Sequence, residues 1–196
     1  LHIGADHGVI RYMGTVGRPR PFGWATAYFF YQPGLEAHLR NGFAGLENVT
    51  LHLGAEFTGL VQSADGVTLS YQKDGATQDV TARWVIACDG SRSPVRKALG
   101  VTLDDLGFEE PWLVVDAEVE GPVSFPPLSG VPADADLQRL SVMMCDPARP
   151  ATIVPGRGNH RRWEFMLLPH EDDATMMQSD KVQELVGAWM KDVPHT

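Results

Sequence analysis

Asp89 and Gly90 close an apolar run, Trp84-Val85-Ile86-Ala87-Cys88, and open a turn that carries Arg92, Arg96 and Lys97. A run apolar on both faces has the character of a strand inside a covered parallel sheet. Such sheets bind ligands at the carboxyl ends of their strands. Gly90, with no Cβ, lets backbone approach a bulky ligand closely. Ser93-Pro94 has the form of an N-cap followed by a first helical residue, and Lys97 and Gly100 suit a helix end. Free N–H groups at that helix start would then share one space with the Asp89 carboxylate, which suits a ribose or a pyrophosphate. The same residues also describe a plain strand–turn–helix joint in which Asp89 caps the helix. Local sequence leaves both readings open.

A second candidate is a basic cluster, Arg149, Arg157, Arg161 and Arg162, set in an acidic half of the chain. Its guanidinium groups could grip an anionic ligand bidentately, or they could be the solvated end of a hairpin. Strand alternation sends Arg161 to the face of Trp163 and Phe165, and Arg162 to that of Glu164 and Met166. The first of these faces is the more apolar. An anionic ligand could lie there near Arg161, and Arg157, between Gly156 and Gly158, is the alternative anchor. Cys88 and Cys145 each end an apolar run without a CxxC partner, so they read as buried free thiols rather than zinc ligands. The seven histidines fall singly, with no HExxH spacing. No paired carboxylates or Ser-His-Asp set emerges, and no residue is singled out as catalytic.

The elements that must position these groups show in the periodicity. Leu35, Leu39 and Phe43 recur every four residues after Pro33, which predicts a short helix over 33–42. Two Asp-Gly pairs, Asp65-Gly66 and Asp74-Gly75, separate runs of strand formers and predict an antiparallel meander over 56–63, 67–73 and 78–88. The Gly-, Pro- and aromatic-rich first thirty residues suggest strands with irregular joints. Beyond residue 100, strands are expected over 112–119, 139–145, 151–155 and 161–168. Val182, Leu185, Val186, Trp189 and Met190 then form the apolar stripe of a helix starting near Ser179 or Asp180. The pattern is α+β with a break near residue 100. Residues 1–100 resemble the remainder of a nucleotide-binding fold, and 101–196 an antiparallel sheet with one helix.

At 196 residues the chain can bury a sizeable core. Residues 1–100 hold nine Lys/Arg against eight Asp/Glu, and 101–196 hold seven against seventeen, for a net charge of −9. That balance argues against nucleic-acid and anionic-membrane surfaces. No apolar run approaches the roughly 20 residues of a membrane span, and the chain reads as cytoplasmic. Its start, Leu1-His2-Ile3-Gly4, reads as part of something longer.

"CDGSRSPVRKALG" resembles the Asp-Gly motif of the single-component FAD-dependent aromatic hydroxylases, the p-hydroxybenzoate hydroxylase-like group. "YQPGLEAHL", "CDPARP" and "RRWEFMLLP" are similar, in the same order, to the branch containing the hydroxyphenylpropionate hydroxylases. The resemblance implies a partial FAD-binding, Rossmann-like domain over 1–100 and an incomplete substrate-binding domain over 101–196. It also implies an enzyme that reduces FAD with NAD(P)H, activates oxygen on the flavin and transfers one oxygen atom to a phenolic ring. Carried over by position, Gln32, Asp89 and Gly90 would contact FAD, while Asp89 and Arg96 would shape the approach of the nicotinamide. Arg157, Arg161 and Arg162 would bind an aromatic acid. The implied partner is a small aromatic substrate, with a homodimer left open.

The family's opening GxGxxG and closing Gly-Asp motif are not found here, so the chain resembles the middle of such an enzyme. Alone it is expected neither to retain FAD nor to consume NAD(P)H. Two other readings stand beside this one: a non-catalytic module that binds an aromatic acid or a partner chain, and a flavin-dependent tailoring oxygenase of a polycyclic product.

Overall fold

The computed structural model describes residues 1–14, 20, 22–25 and 27–191. Parts of the stretch expected to hold irregular strands, residues 15–19, 21 and 26, lie outside the described residues. In chain order the elements are β1 (His2–Gly4), β2 (Val9–Arg11), α1 (Gln32–Phe43), β3 (Glu56–Gln62), β4 (Val67–Lys73) and β5 (Ala76–Ala82). There follow α2 (Pro94–Ala98), β6 (Trp112–Glu118), a 3-10 turn (Leu137–Arg139), β7 (Val142–Cys145), β8 (Ala151–Pro155) and β9 (His160–Met166). Two helices close the described chain, α3 (Asp173–Met176) and α4 (Ser179–Gly187). Among the described residues no helix is long and apolar enough to cross a membrane.

The chain divides into two compact units, one of Leu1–Ala37 with Glu109–Thr196 and one of His38–Phe108. The expected single break near residue 100 therefore meets a different arrangement. The first residues join the later half because β1 hydrogen-bonds in parallel to β7 (His2 beside Met143, Ile3 beside Met144).

The first unit is built on a six-stranded mixed sheet in the order β2-β1-β7-β8-β9-β6, antiparallel at every pair except β1–β7. One face carries Ile3, Val142, Met144, Ile153, Trp163 and Phe165, all buried, with Trp163 at 0% exposure and Phe165 at 1%. Val186 and Met190 cover it together with Val119 and Val123. Each such side chain contributes about 1.5–3 kcal/mol on leaving water. The expected stripe on α4 is thus core packing; Trp189 adds an edge-to-face contact with Phe125, ring centroids 5.9 Å apart.

The strand expected over 139–145 starts later than its apolar pattern suggests. Asp136 caps the 3-10 turn, and the Gln138 amide bonds both backbone groups of Val123 at 3.0 and 2.8 Å, which holds 137–139 out of the sheet.

The second unit holds the meander β3-β4-β5, antiparallel throughout. At the Asp74-Gly75 turn both central residues take positive φ, 51° and 79°, as a tight two-residue hairpin loop requires. The third strand ends at Ala82, not at Cys88. Trp84 and Ile86 are 80% and 86% exposed, so the buried parallel strand read there is not formed. A strand apolar on both faces exists only when neighbours bond its edges and cover its faces, and among the described residues this segment pairs with none. Cys88 is consequently exposed, as is Cys145 at the end of β7, which corrects the expectation of buried thiols. Among the described residues no His/Cys/Asp/Glu group could hold a metal ion.

Candidate functional site

Around α2 the structure brings Asp89, Gly90 and Arg96 together. Asp89 accepts from Ser93 Oγ at 2.5 Å and from the Val95 N–H at 3.0 Å, while Ser93 Oγ accepts from the Arg96 N–H at 2.9 Å. The Ser93 hydrogen bond, then that of Val95, holds the Asp89 carboxyl below its ordinary range. The first N–H groups of this five-residue helix are therefore already taken by the protein's own cap, and none is left free for a pyrophosphate. Gly90 differs. Its φ is +81°, and nothing stands within 4 Å of where a Cβ would be, so the backbone there is open to a flat ligand. The Arg96 guanidinium donates to Ser91 O at 2.6 Å.

Gln32 belongs to the first unit, as the first residue of α1, and its amide donates to Glu36 at 2.9 Å. The preceding Tyr31 stacks on His160, ring centroids 5.7 Å apart, and His160 pairs with Glu118 at 3.1 Å. This contact ties the start of α1 to the β8–β9 hairpin, and neither Tyr31 nor His160 was marked by its local sequence.

The three hairpin arginines do not act together. Arg162 lies opposite Asp116 in the β6–β9 register and grips it through Nε at 2.9 Å and Nη2 at 2.8 Å. This pair lowers the Asp116 carboxyl and raises the Arg162 guanidinium relative to their ordinary values. Arg161 turns to the opposite face, where its Nη1 donates to the carbonyl of His160 at 2.7 Å and its Nε is buried without a partner. The apolar surface expected to carry a ring beside Arg161 is that of Trp163 and Phe165, which is the core itself. Arg157 stays exposed in the turn, its side chain free of hydrogen bonds and ion pairs among the described residues. Arg149 is committed: it grips Glu171 with two hydrogen bonds, 2.7 and 2.5 Å, and donates to Met166 O.

What the sheet leaves open is its other face. Trp112 and Val114 on β6 and Met143 on β7 are 42%, 50% and 41% exposed. Between them run Thr152 on β8 and Glu164 and Met166 on β9, half-buried or buried. The register aligns Met143, Thr152, Glu164 and Val114 in one row across four strands, with Trp112 beside Met166 in the next. The same face carries the Asp116–Arg162 and Glu118–His160 pairs and the Glu164 carboxylate. Alternation in "WLVVDAE" and "RRWEFM" separates the two faces of these strands, but only the pairing of β6 with β9 shows which one is open.

The profile of a family described as FAD binding domain matches residues 9–191. A 3-(3-hydroxy-phenyl)propionate/3-hydroxycinnamic acid hydroxylase of Burkholderia cenocepacia is 35% identical over 176 residues, 89% of this chain and 30% of its own length. A protein of the same description from Mycobacterium sp. is 32% identical over 174 residues, 89% of this chain and 27% of that one. The chain thus spans about 30% of the length of the curated relatives it matches. In fold it is similar to the p-nitrophenol 4-monooxygenase of Pseudomonas putida DLL-E4, with a TM-score of 0.67 at 19% identity over 85% of this chain and 40% of that one. It is equally similar to an aklavinone-11 hydroxylase solved with FAD and aklavinone, at 0.67 and 20% identity over 90% and 33%.

Proposed function

This chain belongs to the FAD binding domain family, and from that premise we propose that it is the substrate-carrying portion of an FAD-dependent aromatic hydroxylase acting on a phenolic acid. The observation that carries the reading is the open face of the six-stranded sheet, with Trp112, Val114 and Met166 set to receive a ring. The hydroxylase relatives supply the substrate class: a phenol with a short acidic side chain.

Three tasks fall to this chain. The open face binds and orients the ring and displaces water from one side of it. Arg157, in the turn at the far end of β9 from the Trp112–Met166 pair, is the hairpin arginine left uncommitted for an acid group; Arg162 is held by Asp116, and Arg161 is turned into the covered face. Gln32, Asp89, Gly90 and Arg96 meet the cofactors, FAD and NAD(P)H. The residues fit that role in part: Gly90 leaves its backbone open, whereas the α2 start offers no free N–H for a pyrophosphate. FAD, when bound, supplies the oxygen activation and electron transfer that protein side chains cannot. Exposed Cys88 and Cys145 suit a reducing, cytoplasmic setting.

The test has two arms. In a protein as long as the curated relatives and containing this chain, a hydroxyphenyl acid should accelerate NAD(P)H oxidation and yield hydroxylated product, and NAD(P)H oxidation that ignores every such acid would defeat the proposal. The 196-residue chain alone should emerge colourless from gel filtration after mixing with FAD.

A further inference from the structure

The geometry points to Glu164 as the residue that accepts the hydroxyl of a phenolic ligand on the open sheet face, an inference that rests on the reading of that face given above. Glu164 sits in β9 between Thr152 of β8 and Val114 of β6, with Arg162 and Met166 two residues to either side on the same face. The other carboxylates of this face are engaged: Asp116 binds Arg162 with both oxygens, and Glu118 pairs with His160. Glu164 makes neither a hydrogen bond nor an ion pair among the described residues, although its field helps to keep Arg162 charged. It is partly exposed beside Val114 and Met166, so its carboxylate is open to solvent and to a ligand on this face.

Hydrogen bonds from neutral donors to an ionised acceptor are roughly twice as strong as neutral ones. Arg162 cannot serve instead, because a guanidinium only donates hydrogen bonds. The Glu164 charge repels a carboxylate, so a phenolic acid lies with its hydroxyl at Glu164 and its acid group directed away.

The experiment uses the 196-residue chain with 13C-labelled methionine methyl groups, titrated with m-cresol and with 3-methylanisole, which differ only at the phenolic oxygen. Met143 and Met166 should shift with both probes. The ratio of cresol to anisole affinity should fall about tenfold in Glu164→Leu, the loss of one charge-assisted hydrogen bond, while anisole affinity stays within about twofold. Glu164→Gln, which keeps the shape and tests the charge alone, should give a smaller fall in the same ratio and serves if the leucine variant does not fold. Methionine shifts with an unchanged ratio in both variants would remove Glu164 and leave the open-face reading standing. No shift at either methionine with either probe would remove the open-face reading, and Glu164 with it.

Discussion

Arg162 and Asp116 face each other across β9 and β6, joined by two hydrogen bonds of 2.9 and 2.8 Å. Both side chains are about half exposed, so the pair contributes little to stability, under about 1 kcal/mol. Its consequence is for binding, because an arginine held by an aspartate is not free for a ligand acid. Asp116→Ala should therefore tighten binding of benzoate to the chain, and Arg162→Ala should leave it unchanged. Arg157→Ala should weaken benzoate several-fold while sparing benzamide. Isothermal titration with the acid and its amide reads all three; equal behaviour toward both ligands in the Arg157 variant would remove that residue as an anchor.

Acid should loosen the first unit at a particular joint. Arg149 grips Glu171 at the end of β9, and this contact, aided by the Leu168 N–H, pushes the Glu171 carboxyl down to about 2. A carboxyl whose folded value lies below its unfolded one stabilises the fold above the unfolded value, near 4.3, and loses that contribution as pH falls toward 2. Wild-type stability should drop across that window by about 2 kcal/mol more than that of Glu171→Gln, allowing for partial solvent screening. Urea midpoints at pH 6, 4 and 2.5 for the two proteins give the comparison.

Trp163 is fully buried, yet its indole N–H has no acceptor among the described residues. Trp163→Phe deletes that orphan donor along with some ring volume, and the two effects oppose each other. The variant should lose less than about 2 kcal/mol, against about 3–5 kcal/mol for Trp163→Ala. A loss above about 2 kcal/mol for Trp163→Phe in chemical denaturation would mean that the unpaired N–H carries no penalty.

Ser93 is the N-cap of α2, almost wholly buried and bonded to both Asp89 and the Arg96 N–H. Ser93→Ala should cost the second unit about 1 kcal/mol. Asp89→Asn should destabilise the same helix, most visibly above the ordinary aspartate range, because the depressed carboxyl contributes only when ionised. Hydrogen exchange at Val95 and Arg96 follows both effects. Unchanged protection in both variants would separate Asp89 from the cap and return it to a purely cofactor-facing role.

Local periodicity was enough for much of this. The four-residue recurrence of Leu35, Leu39 and Phe43 marked α1, the two Asp-Gly pairs marked the meander, and Ser93-Pro94 marked the start of α2. These features are set by neighbours within a few residues, where helix and turn preferences act directly on the chain. Faces were legible too: alternation placed Arg162 with Glu164 and Met166 and separated them from Arg161. What alternation cannot say is which face is covered. Only the packing of Val186 and Met190 over Trp163 and Phe165 made the Arg161 side the core and left the Glu164 side open. Partner choice was likewise invisible, since Asp116 reaches Arg162 across 46 residues and Arg149 reaches Glu171 across 22. The run from Trp84 to Cys88 shows the limit from the other direction. Its residues are those of a buried strand, but hydrogen-bonded neighbours make a strand, and among the described residues none lies beside it.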